Sequence, residues 1–114
     1  MGGGNEKWPK FIRRIDSGNT VWEANDIFDV TGIKSVTVKY WCRSGTERIV
    51  YGKSDTVNDN FYNNGSEGVW NDQGYTPETN TTATFTINIP TKYPYLAIAT
   101  RRSGKMIYEF ISVT

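Results

Sequence analysis

The chain has 114 residues, 37% of them hydrophobic and 14% aromatic, with 13 basic against 12 acidic side chains. That length suits one modest core, and a net charge of +1 lacks the basic excess that marks nucleic-acid binders. No apolar run approaches the roughly 20 residues needed to span a bilayer, so neither nucleic acid nor membrane insertion is expected.

The opening Met1-Gly-Gly-Gly-Asn-Glu-Lys has no apolar stretch and does not read as a signal peptide. Residues 1–8 are expected to form a flexible leader, and 9–114 one β-sandwich domain. Lys10–Ile15 and Thr20–Glu23 read as strands around the turn Asp16-Ser17-Gly18-Asn19. Asp26–Val30 reads as a short strand entering a turn at Thr31-Gly32. The clearest strand is Ser35–Cys42, where Val36, Val38, Tyr40 and Cys42 alternate with Thr37, Lys39 and Trp41. Arg43-Ser44-Gly45-Thr46 then reads as a bulged hairpin turn into a strand near Arg48–Tyr51.

Lys53–Thr81 breaks the alternation. It is crowded with Asn, Asp and Gly and reads as one long loop, a class of segment that is usually functional or disordered. Beyond it, Thr82–Ile89 alternates Ala83, Phe85, Ile87 and Ile89 with Thr and Asn until Pro90 stops the ladder. Tyr95–Arg101 and Met106–Val113 read as the last strands, joined by a second Arg-Ser-Gly hairpin turn, Arg102–Lys105. About seven or eight short strands without a helix predict an all-β fold, a two-sheet antiparallel sandwich of jelly-roll-like kind.

Histidine is absent and Cys42 is the one cysteine. Ser-His-Asp and Cys-His catalysis and histidine-based metal sites are therefore excluded, and Cys42, alternating with Val36, Val38 and Tyr40, reads as a buried small hydrophobe. Carboxylate chemistry survives in Asp55, Asp59, Glu67, Asp72 and Glu78, since glycoside hydrolysis needs only two acids at fixed separation. All five fall in the long loop, which is a poor place to hold such a pair rigid, so no catalytic residue is expected and the chain reads as a non-enzyme. No cofactor is expected, calcium being the alternative that the loop's carboxylate and amide oxygens leave open.

The loop also combines flat aromatic rings with dense amide and carboxylate groups. This is the chemistry that binds sugars, by stacking on C–H faces and sorting hydroxyls by hydrogen bonds. Trp70, Tyr62, Phe61, Asn63, Asn64, Asn71, Asp72 and Tyr75 are the candidate ligand-binding residues. The competing reading folds Trp70 and Tyr62 inward to tack the loop onto the sandwich. Trp41 points away from the Val36/Val38/Tyr40 face and is a candidate interface residue; the alternative is that the long loop covers it.

Asp26-Ile-Phe-Asp-Val-Thr-Gly-Ile-Lys-Ser-Val-Thr-Val-Lys-Tyr40 resembles segments of galactose-binding-like and jelly-roll sandwiches. Tyr93-Pro-Tyr-Leu-Ala-Ile-Ala-Thr100 is similar to a late strand of the same folds. Such domains decorate phage tail and head fibres and bacterial surface proteins. The resemblance implies a virion or extracellular surface location and a non-catalytic module that recognises a carbohydrate or another cell-surface receptor. A homotrimer or virion would supply multivalency. The rival expectation is a structural virion protein, a capsid decoration or fibre subunit, acting through assembly contacts.

Overall fold

A computed structural model describes residues 7–16, 24–43, 47–52, 70–72, 82–100 and 104–114; at 16, 24, 25 and 70–72 only the backbone is described. The described residues form eight strands and no helix: β1 (Lys10–Asp16), β2 (Ala24–Asp29), β3 (Ser35–Cys42), β4 (Glu47–Gly52), β5 (Trp70–Asp72), β6 (Ala83–Asn88), β7 (Tyr95–Thr100) and β8 (Met106–Val113). Among the described residues no helix is long and apolar enough to cross a membrane.

The strands make two antiparallel sheets, a larger one ordered β1-β2-β7-β4-β5 and a smaller one ordered β6-β3-β8. Phe28, Ile49, Tyr51, Leu96 and Ile98 of the larger sheet bury against Val36, Val38, Tyr40, Cys42 and Ile87 of the smaller one. This is the expected two-sheet antiparallel sandwich, with β1-β2-β7-β4-β5 facing β6-β3-β8. Each fully buried Leu, Ile or Val contributes about 1.5–3 kcal/mol through removal from water.

The alternation expected in β3 is present: Val36, Val38, Tyr40 and Cys42 are buried, whereas Lys39 is exposed. β7 behaves differently. Leu96 and Ile98 face the shared core, and Ala97 and Ala99 are also buried, in a second cluster with Ile27 and Val50 on the opposite face of the larger sheet. A strand buried on both faces reads as a continuous apolar run rather than an alternation, which explains Leu96-Ala-Ile-Ala99.

Both expected Arg-Ser-Gly hairpins are corrected by the sheet order. β3 and β4 lie in different sheets, as do β7 and β8, so Arg43–Thr46 and Arg102–Lys105 cross between layers instead of closing ladders. Short loops with glycine suit either task, and only the burial of the flanking strands selects between them. The N-terminal hairpin differs too. β1 pairs with β2, Asp16 opposite Ala24, while the expected strand Thr20–Glu23 lies outside the described residues. The Lys53–Thr81 stretch contains β5, which pairs Trp70 with Gly52 and Asp72 with Val50. It therefore reaches the ladder part-way rather than running as one uninterrupted loop.

At the end of the sandwich where β2 meets β3, the Ile33 N–H donates to the Val30 carbonyl at 2.9 Å, and Asp29 Oδ1 accepts the Thr31 N–H at 2.8 Å. Hydrogen bonds from the Thr31 hydroxyl and from its N–H, with Lys10 and Lys7 nearby, hold the Asp29 carboxyl below its usual range. Gly32, with φ of 83°, occupies the left-handed position that such a turn requires. A Cβ there would meet only the movable tip of Lys7, so the backbone strain decides. Gly32→Ala is expected to cost about 1 kcal/mol, visible as a lower urea midpoint with unchanged slope; an unchanged midpoint would show that the turn relaxes freely.

Candidate functional site

The outer face of the smaller sheet is built by the residues of β3, β6 and β8 that alternate with the core set. Trp41 lies opposite Ile107, Lys39 opposite Glu109 and opposite Thr84, and Thr37 opposite Ser112 and Thr86. The Thr37 and Thr86 hydroxyls are 2.9 Å apart. Beside them Lys39, Trp41, Thr82, Ile107, Tyr108 and Glu109 line an open groove of about 360 Å³. Trp41 is half-buried, and Lys39, Thr82, Ile107 and Glu109 are exposed. The groove thus offers a flat aromatic surface, an apolar neighbour, a cation and a carboxylate on one rigid ladder.

A second polar cluster sits between the sheets at the side where β1, β2 and β8 meet. Tyr108 Oη donates to Asp26 Oδ2 at 2.5 Å, and Arg14 Nη1 approaches Asp26 Oδ1 at 3.4 Å. Burial and the neighbouring Asp26 carboxylate push the Tyr108 phenol well above its usual range. The phenol keeps its proton and donates it to Asp26. A cleft of about 180 Å³ opens here between Arg14, Asp26, Thr100, Lys105, Met106 and Tyr108.

Glu47 is the one fully buried charged residue among those described, and composition gives no signal of it. Its Oε2 accepts the Lys105 N–H at 2.6 Å, which ties the start of β4 to the crossing between β7 and β8. Cys42 is buried in the core as expected. Burial, helped by the Glu47 charge, pushes its thiol up to about 12 from the ordinary 9.0. The thiolate, not the thiol, is the nucleophile, so native Cys42 is expected to resist alkylation at pH 8–9 and to react on unfolding in urea. The folded chain keeps a proton there that the unfolded chain releases. That increment of stability is complete below about pH 9 and is lost as pH climbs toward 12. Equal alkylation rates in buffer and in urea would refute the buried placement.

Of the candidate ligand residues, Trp70, Asn71 and Asp72 form β5 at the edge of the larger sheet. Phe61, Tyr62, Asn63, Asn64 and Tyr75 lie outside the described residues, as do Asp55, Asp59, Glu67 and Glu78. Trp41 lies on the smaller sheet, which does not contain β5. No group of three or more metal-ligating side chains occurs among the described residues. Ile107 and Glu109, the groove partners of Trp41, were not singled out from sequence; their spacing from Trp41 exists only once β8 is paired with β3. Compared with family models, curated proteins and solved structures, the chain matches none of them.

Proposed function

We propose that the chain is a non-catalytic recognition module that binds a cell-surface carbohydrate on the outer face of its smaller sheet, as part of a phage fibre or bacterial surface protein. The observation that carries this reading is the groove holding Trp41 with Ile107, Lys39, Glu109 and Thr82. Its volume falls at the low end of the roughly 300–1,000 Å³ range of small-molecule sites. A sugar ring would lay its C–H face on the Trp41 indole. The Lys39 ammonium donates and the Glu109 carboxylate accepts, so the pair can sort hydroxyl orientations. Strand-borne side chains hold these groups more rigidly than a loop would. Weak single sites of this kind gain working affinity by display on a multimer.

The test is a glycan array probed with the pure, pre-clustered protein, in calcium and in chelator. Selective retention on one glycan family that survives the chelator is the expected result. Loss of signal in chelator would instead place a metal in recognition, and a blank array would remove the carbohydrate reading. The second reading, a structural subunit of a virion, rests on a different observation. Among the described residues the exposed large hydrophobics are Ile107 and Ile111 on β8, Phe11 and Ile12 on β1, and Trp8 two residues before it.

A further inference from the structure

Two cross-strand rows make up the groove beside Trp41. In one, Trp41 of β3 stands opposite Ile107 of β8; in the other, Lys39 stands opposite Glu109. The Arg43 N–H donates to the Lys105 carbonyl. By ladder alternation both rows are therefore hydrogen-bonded pairs, with Cα atoms about 5.5 Å apart. Two residues along the strand, about 7 Å, separate one row from the next. The register shift between β3 and β8 falls at Thr37/Val38, outside both rows. A regular stretch of ladder thus sets the positions of all four residues.

The rows differ in chemistry. The first is apolar, a half-buried indole beside an isoleucine that is 59% exposed. The second is charged and balanced. Opposite charges set across a ladder stabilise it when they pair, yet among the described residues no ion pair joins Lys39 to Glu109. Both side chains are exposed, and both line the groove with Trp41 and Ile107. A donor and an acceptor therefore stand next to an aromatic face and an uncovered aliphatic one.

We infer, on the basis of the carbohydrate reading, that the groove selects a neutral N-acetylated amino sugar, an N-acetylhexosamine. The pyranose ring stacks on Trp41, and the acetyl methyl lies on Ile107 one strand across. The Lys39 ammonium donates to the amide carbonyl, and the Glu109 carboxylate accepts the amide N–H. Other sugars leave part of this surface unused or opposed. A plain hexose brings no methyl to Ile107. A protonated amino sugar is repelled by Lys39 and a uronic acid by Glu109, each losing what it gains from the other member of the pair. An acetamido group is a donor, an acceptor and a methyl in one, and it uses both rows without carrying charge.

The test is an NMR titration of the full chain, read at the indole N–H signals. The probes are the methyl glycosides of N-acetylglucosamine, N-acetylgalactosamine, glucosamine, glucose and glucuronic acid. An N-acetylhexosamine glycoside is expected to bind roughly tenfold tighter than the glucoside, the low end of what one apolar carbon discriminates. It should also bind tighter than either charged sugar. Ile107→Ala should bring the acetamido and plain sugars to within about twofold of each other. Glu109→Gln should raise the affinity for the glucuronide. Equal affinity for acetamido and plain sugars, a preference for a charged one, or an acetamido preference that persists in Ile107→Ala would overturn the proposal and leave the carbohydrate reading standing. Absence of binding to every glycoside would also overturn it, and a blank glycan array beside that result would remove the carbohydrate reading as well.

Discussion

Leu96→Ala is expected to lower the thermal midpoint by about 10 °C or more. Leu96 has no solvent exposure and sits mid-way along β7, flanked by Phe28 of β2 and Tyr51 of β4. Its side chain enters the core shared by both sheets. Removing it forfeits transfer free energy and leaves a cavity, together about 2–5 kcal/mol. Ladders on both sides of β7 hold the backbone in place, so collapse into the gap is limited. Each 1 kcal/mol moves the midpoint of a domain near this size by about 4–8 °C. Ile107→Ala, at a position 59% exposed, is the matched control and should change stability by less than about 0.5 kcal/mol. Differential scanning calorimetry of both variants checks the pair, and similar small losses in the two would mean that β7 does not anchor the core.

Trp41→Ala is expected to weaken carbohydrate binding by roughly 30-fold, since a central aromatic anchor is worth about 2 kcal/mol or more. The fold should survive, because Trp41 is half-buried on the outer face and belongs to neither core cluster. The paired measurement is isothermal titration with the glycan selected on the array, beside a thermal melt. Retained affinity would remove Trp41 from recognition. Trp70→Ala, at the edge of the other sheet, is expected to leave the affinity unchanged; loss of binding there with an unaltered melt would move the site to β5 and its neighbours.

Much of the strand content is legible in the residues themselves. Ser35–Cys42 and Thr82–Ile89 alternate cleanly because each has one face in the core and one in water, and period two records that directly. The buried fate of Cys42 follows from the same alternation. Exclusion of histidine chemistry needs only the composition. All-β architecture and a sandwich follow from these local signals together with the turn residues between them.

Pairing is a different matter. Nothing local tells Arg43–Thr46 or Arg102–Lys105 whether to close a hairpin or cross between layers, since a short glycine-bearing loop serves both. The outcome depends on which apolar faces must meet, a property of the whole chain. For the same reason β5 is hidden within an Asn/Asp-rich stretch: Trp70–Asp72 has little strand character and is recruited by the ladder of β4. Glu47 is buried by tertiary packing and held by a backbone N–H 58 residues away in sequence, with no periodic signature to announce it. The Trp41 groove belongs to this second class, because it joins residues far apart in sequence. Sequence determined the described strands other than β5, and the absence of histidine chemistry, through the periodicity and identity of neighbouring side chains. Only the tertiary structure decided which strands are neighbours, and therefore which surfaces are left to bind.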